Sequence, residues 1–449
     1  MNTHSIIHRH FVAALLFGLS LAASANAQDS PKAKSAAVFD VRDFGAKGDG
    51  TTFDTPAVQA GIDAAAVSGG TVLVHGGTFL CRTLILKSNV TLCVDAGGVL
   101  LGTPTLEDYA EIKPAYVTYT YSHRAFLYAG GAENVSIVGK GAIDLQGRAF
   151  PPQPKPGTFK ITPAAMEWGQ SPFAVRLVKC RNLTVRDITI RNCPMTALRI
   201  VGGERVLVDG VVIENRVRIG CDGIEIVSSS YVYVSHCRVD SWDDGICLKS
   251  SSPDPCRNIA ITNCTISSLC NAIKMGTESS GGFENIAISN CVIDGGEMDG
   301  WRSLNGLALE IVDGGTMNGI GISNIVMRGV RTALFIRLAN RARLFSPDTP
   351  KPGVGVLKNV SISHVQDLEL TDFTAKASTG PLIRLRDTRD ALIQNSRPRG
   401  DVEAFLQIEG GPSANIALLA NDLRRARKSA VTLNGAAAVS ETSNLHSTP

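Results

Sequence analysis

One ten-residue phrase recurs down this chain and narrows sharply what the chain can fold into. It reads LTVRDITIRN at 183–192, VLVDGVVIEN at 206–215, VYVSHCRVDS at 232–241, IAITNCTISS at 259–268, IAISNCVIDG at 286–295 and IGISNIVMRG at 320–329. Anchored on Asp187, Asp209, His236, Asn263, Asn290 and Asn324, the intervals are 22, 27, 27, 27 and 34 residues. Apolar and polar residues alternate on either side of a small or polar break, which is the period-two mark of short strands joined by a bend. A unit of this length made only of strands cannot bury its own apolar face, so successive units must stack, each strand pairing in parallel with its counterpart. The expected fold is all-β, a single-stranded right-handed parallel β-helix.

A second phrase follows the first in each unit: TALRIV (196–201), DGIEIV (222–227), DGICLK (244–249), NAIKMG (271–276), NGLALE (305–310) and TALFIR (332–337). Alternation points Leu198, Ile224, Ile246, Ile273, Leu307 and Leu334 inward. Arg199, Glu225, Cys247, Lys274, Ala308 and Phe335, and the row Val201, Val227, Lys249, Gly276, Glu310 and Arg337, are then expected to face solvent. The row preceding these strands reads Thr196, Asp222, Asp244, Asn271, Asn305, Thr332, so two carboxylates sit on adjacent coils about 4.8 Å apart. Asn263, Asn290 and Asn324, with His236 and His364 in equivalent places, read as polar residues stacked at one bend rather than as a catalytic set. Cys237, Cys264 and Cys291, 27 residues apart, read as a buried row of small side chains. With eleven cysteines and no CxxC pair, neither a disulfide framework nor a zinc site is indicated.

The start of the chain carries a basic stretch (His8, Arg9, His10), an apolar run from Phe11 to Ala23 and a small-residue site at Ala25-Asn26-Ala27. That pattern is a signal peptide over 1–27, its apolar run too short for a bilayer needing about 20 residues. The expected mature chain is a β-helix domain over 28–430 and a tail over 431–449, secreted or periplasmic, monomeric and free of the membrane. Asp54-Thr55-Pro56 followed by Ala57 to Val67 reads as a capped helix whose face of Val58, Ile62 and Ala65 covers the open end of the solenoid. The proline-rich segment Pro151 to Pro172 reads as a long loop. A net charge of +3 gives no reason to expect a nucleic-acid partner.

Chemistry enters with Asp222, Asp243 and Asp244, which stacking brings together on neighbouring coils. Crowded carboxyls raise at least one pKa, so one can hold a proton for a leaving oxygen while the others polarise a water. The bland alternative is that they serve turns, as Asp49, Asp54 and Asp144 do. Trp242 precedes the pair as an aromatic suited to a sugar face, and Lys249, Lys274 and Arg337 add cations that suit an anionic sugar.

The segment CDGIEIVSSSYVYVSHCRVDSWDDGICLKSS, 221–251, resembles glycoside hydrolase family 28, the polygalacturonases and rhamnogalacturonan hydrolases, and the likeness runs from about Val38 to Val365. DFGAKGDG (43–50) and GGTVLV (69–74) are similar to many pectin-active β-helices. The family carries Asn-Thr-Asp-Gly, Gly-Asp-Asp, Gly-His-Gly and Arg-Ile-Lys. Here the first two become Gly220-Cys221-Asp222-Gly223 and Trp242-Asp243-Asp244. The resemblance implies Asp243 as general acid, and Asp222 with Asp244 activating water for inverting attack on an acidic plant polysaccharide or oligosaccharide, with no metal or other cofactor. Two motifs depart. Leu269-Cys270-Asn271-Ala272 stands where the histidine is expected, and Ile336-Arg337-Leu338 keeps the arginine but not the lysine. Lys274, Glu278, Asn340 and Arg341 are candidates for a changed substrate subsite, and for each a turn or loop role stays open; Asn271 is a further candidate substrate contact. The departures point to a substrate other than plain homogalacturonan. Two rivals stand: a polysaccharide lyase or epimerase using clustered aspartates for calcium, and a carbohydrate-binding β-helix without catalysis.

Overall fold

In the computed structural model, residues 37–113, 122–150, 171–298, 300–344, 350–367, 381–398 and 400–447 are described. The signal-peptide reading and nearly all of the proline-rich loop lie outside them. The described chain is a right-handed parallel β-helix, and its strands run almost wholly in two sheets of 23 and 12 strands. The smaller sheet is the one that matters for function. Its strands stack in chain order: Leu84–Ile85 (β1), Ala125–Gly130 (β2), Phe173–Val178 (β3), Leu198–Val201 (β4), Ile224–Val227 (β5), Ile246–Ser250 (β6), Asn271–Ser279 (β7), Asn305–Ile311 (β8), Thr332–Leu338 (β9), Pro381–Arg386 (β10), Val402–Glu409 (β11) and Ala426–Leu433 (β12). The larger sheet wraps the other sides of each coil.

The register follows from the apolar alternation. Leu198, Ile224, Ile246, Ile273, Leu307 and Leu334 pair in succession across β4 to β9, and none is more than 1% exposed. A one-residue slip would turn that whole column outward, so burial fixes the stacking. The opposite wall is built the same way, with Val234, Ile261, Ile288 and Ile322 in one continuous core.

The bends are held by residues that tolerate a left-handed backbone. His236, Asn263, Asn290, Asn324 and His364 all have φ between 53° and 55°, and Asn324 donates to Asn290 Oδ1 at 3.1 Å. Asn is common in this conformation because its short polar side chain bonds locally. One anchor of the repeat needs moving. Asp209 pairs with Ser235, so the residue at the bend is Gly210, with φ of 63°.

The helix α1, Thr55–Ser68, buries Ala57, Val58, Gly61, Ile62 and Ala65 against the first coil. Asp54 precedes it but makes no side-chain cap. Its carboxylate accepts instead from the amides of Lys47 (2.6 Å) and Gly48 (2.9 Å), closing the preceding loop. At the other end strand pairing runs beyond the expected boundary at 430: β12 ends at Leu433, and Ser440–Thr442 still pairs with Ala414–Leu419. Residues past 431 therefore continue the coil, because the alternation in AVTLNG persists there. All eleven cysteines are free thiols. No helix among the described residues is long and apolar enough to cross a membrane.

Candidate active site

The outward row of β3 to β8 is not solvated, contrary to what alternation alone implied. Arg176, Glu225, Cys247 and Ala308 are at most 1% exposed, and Arg199, Val201, Val227 and Glu310 are also buried. This face is the floor of a groove, and charges sit in it because each is answered by another.

Two close approaches set the acids in place. Asp222 and Asp244 are each followed by glycine at the start of a strand. A Cβ on Gly223 would lie 2.5 Å from the Gly245 carbonyl, and one on Gly245 would lie 2.5 Å from the Ala272 carbonyl. Only glycine lets these coils approach so closely, and the acids follow the coils. The turn before Asp222 is held by fully buried Asn215, whose amide donates to the carbonyls of Met195 (3.0 Å) and Asp222 (3.1 Å). The backbone of Asp243 is pinned by hydroxyls, with Ser241 and Ser268 both donating to its carbonyl.

Asp222, Asp243 and Asp244 line one cavity of about 290 Å³, together with Glu225, Glu278, Arg199, Lys249, Lys274 and Arg343. Lys249 Nζ bonds Asp222 Oδ2 at 3.0 Å and Glu225 Oε1 at 2.8 Å. The second oxygen of Asp222 accepts the Asp244 amide at 3.0 Å. Lys274 Nζ bonds Asp244 Oδ2 at 2.9 Å, and Asn271 Nδ2 donates to Asp244 Oδ1 at 2.6 Å. Arg199 pairs with Glu225. Asp243 is half-buried, and among the described residues no ammonium or guanidinium bonds its carboxyl.

Protonation follows from these partners. Burial, opposed by Lys249 and reinforced by Asp243, Asp244 and Glu225, pushes Asp222 up to about 8. Asp243 is also raised, by burial first and then by Asp244. Burial would lift Glu225 too, but Arg199 and Lys249 overcome it and hold it at about 2. Burial works against the charge of Lys249 and Lys274, yet the acids around them keep both ammoniums well above the usual lysine range. The cavity therefore holds fixed cations, two glutamates held below the usual carboxylate range, Glu225 and Glu278, and two raised aspartates, Asp222 and Asp243, that interact.

Two groups have ligand atoms within 4.8 Å of one another, Asp222 with Glu225 and Cys247, and Asp243 with Asp244 and Cys270. Neither has the makings of a calcium site. Lys249 or Lys274 already bonds the carboxylates, and burial keeps both thiols protonated. Calcium takes six to eight oxygens.

Of the proposed substrate contacts, Lys249, Lys274 and Glu278 line the cavity. The others do not. Trp242 is 7% exposed and packs edge-on against Trp301 at 5.4 Å, with Cys221 and Leu269. Its ring is buried in this small cluster and offers no open face to a sugar. Asn271 is spent on Asp244 and accepts from Asn305 at 2.6 Å. Arg341 forks onto Asp313 and reaches Thr277 at 2.9 Å. Arg337 lies 3.9 Å from Glu310, outside the cavity lining. Glu225 and Arg199 also line the cavity, and the signal for them in the sequence is their place in one cross-coil row, which puts opposite charges side by side. Arg343, which pairs with Glu278 at 2.9 Å across 65 residues, leaves no trace in the repeat.

The fold and the acid-lined groove define a carbohydrate-active parallel β-helix. Residues 97–387 match glycosyl hydrolases family 28, and the chain belongs to that family. Residues 38–137 match the rhamnogalacturonase A/epimerase, pectate lyase-like group. An exo-poly-alpha-D-galacturonosidase of Dickeya chrysanthemi is 29% identical over 252 residues, covering 46% of this chain and 41% of that one. A probable polygalacturonase of Vitis vinifera is 26% identical over 224 residues, covering 46% and 43%. The chain thus matches less than half the length of these relatives. Among solved structures, a hyperthermoactive exopolygalacturonase from Thermotoga maritima superposes with a TM-score of 0.64 at 22% identity, covering 89% of this chain and 92% of that one.

Proposed function

We propose that this protein is a glycoside hydrolase that cleaves pectic, uronate-containing glycosidic bonds with inversion, Asp243 acting as general acid and Asp222 with Asp244 activating water. The observation that carries this assignment is the asymmetry of partners. Asp222 and Asp244 are each bonded by a lysine ammonium, Lys249 and Lys274. Among the described residues Asp243 has no such bonded cation, and burial beside Asp244 favours its protonated form. A proton resident on Asp243 is what a leaving glycosidic oxygen needs, and two carboxylates fixed by ammoniums suit a water-activating pair. The burial that raises Asp222 is compatible with sharing of the proton between Asp222 and Asp243 before substrate enters.

Lys249, Lys274 and Arg343 in the same cavity favour an anionic sugar. The match to relatives that act on galacturonans supports a pectic substrate, and the two altered motifs favour a rhamnogalacturonan or a decorated oligosaccharide over plain homogalacturonan. Export through the segment 1–27 belongs to the same reading. The chain's opening basic and apolar pattern supports it, and N-terminal sequencing of the exported chain tests it.

The central test is Asp243→Asn assayed on defined pectic oligosaccharides, with reducing ends and product anomers followed by NMR. Loss of about 10²–10⁴-fold in kcat with an unchanged thermal melt is expected. Full activity in the variant removes the mechanism. An unsaturated, ultraviolet-absorbing product that disappears with chelator would make the protein a lyase instead.

A further inference from the structure

Among the described residues no cation bonds Asp243, yet it has a partner. Cys270, on the next coil, places its sulfur within 4.8 Å of the carboxylate oxygens of both Asp243 and Asp244. Its position is fixed from two directions. Its amide donates to Ser268 Oγ at 2.9 Å, and that same hydroxyl donates to the Asp243 carbonyl. Its sulfur accepts from Asn271 Nδ2 at 3.2 Å, and that amide nitrogen also donates to Asp244 Oδ1 at 2.6 Å. With the sulfur's lone pair turned to Asn271, its hydrogen is left for the carboxyl of Asp243.

We propose that Cys270 is a positioning residue for Asp243, its S–H donated to the carboxyl so that the general acid is oriented and its proton made easier to release. This rests on the role given to Asp243 above. The thiol is suited to the task by what surrounds it. Burial beside Asp243 and Asp244 holds Cys270 well above the usual thiol range, so it stays a donor and does not become a nucleophile. The bond favours the ionised form of Asp243 and draws its pKa down against burial. Nine of the eleven thiols are buried, and only Cys93 and Cys270 are half-buried. Cys270 is thus a partly exposed thiol beside two of the acids that line the cavity, where a sulfur next to an acid is in a position to act on the chemistry. Asp222 and Asp244 obtain fixed geometry from ammoniums, whereas Asp243 obtains it from a neutral donor that leaves its proton in place.

The test compares Cys270→Ala, which removes the donor, with Cys270→Ser, which restores one. Activity depends on a protonated Asp243, so it falls as pH rises through that group's pKa. Removing the donor raises that pKa, and the alkaline limb of kcat/KM should move up by about 0.5–1 pH unit in Cys270→Ala. Its kcat at the optimum should fall about tenfold. Cys270→Ser should return both toward the parent values. A Cys270→Ala enzyme with an unmoved limb and unchanged kcat overturns the proposal. A second readout does not depend on turnover: the Asp243 carboxyl is titrated by NMR on protein labelled at the aspartate Cγ, assigned with Asp243→Asn. An upward shift in Cys270→Ala supports the contact and an identical curve overturns it, whatever substrate the enzyme takes. If Asp243→Asn itself keeps full activity, the general-acid reading fails, and the NMR titration still decides whether the thiol bonds the carboxyl.

Discussion

At the scale of single residues, the groove shows how a row of buried charges survives in a β-helix. Glu225 is 1% exposed and depends on Arg199 and Lys249. Its pKa in the folded chain lies near 2, below its ordinary value of 4.5, so its ionised form stabilises the fold above about 4.5 and that contribution is lost as pH falls toward 2. Glu225→Gln leaves two buried cations short of a partner and should cost about 3–5 kcal/mol near neutrality. The gap in melting temperature between parent and variant should narrow as the medium is acidified below pH 4.5. A gap independent of pH would show that the pair contributes nothing through ionisation. The three aspartates could be read from the chain because stacking alone brings residues 222 and 244 together. The arginine at 343 could not, because its contact with Glu278 depends on the path of a loop. Trp242 differs for a related reason: an aromatic beside an acid looks the same in sequence whether its ring is open to a sugar or buried among apolar neighbours.

At the scale of the element, the bend carries as much information as the strand. Asn290 has φ of 55° and accepts from Asn324, so the position asks for a left-handed backbone and a side-chain acceptor at once. Asn290→Val offers neither, and a β-branched residue is least tolerant of this conformation. The expected loss is about 1–2 kcal/mol, read as a lower urea midpoint with an unchanged slope. An equal midpoint would mean that the ladder is decorative. Strand columns were legible because burial imposes a period of two. The bend was legible only to within a residue, since Asp209 and Gly210 are both ordinary turn formers and only register tells them apart. The outer face of β3 to β8 was misjudged because alternation distinguishes inside from outside of the coil, and is silent on what covers the outside.

At the scale of the molecule, each coil is stabilised by its two neighbours, so the ends are the weak points. One end is closed by α1. At the other, β12 covers β11 along its length from Val402 to Glu409. A chain cut after Glu409 should expose that edge while leaving the coils of the cavity intact. Concentration-dependent association by light scattering, with oligosaccharide turnover preserved in the fraction that remains monomeric, is the expected result. Loss of turnover in that fraction would mean that the terminal coils support the cavity across the intervening turns. The length of the solenoid was visible in the repeat, but its end was not, because the terminal coils depart from the phrase used to find it.

The glycines beneath Asp222 and Asp244 have a further consequence. They press the acid-bearing coils to the separation set by peptide hydrogen bonding, so the spacing of reactive groups along this groove comes in fixed steps, like the teeth of a rack. Selection cannot slide one acid a fraction of an ångström toward another. It can only exchange the tooth, by changing which side chain a coil presents, and the lysines, the asparagine and the thiol around these three aspartates are such exchanges.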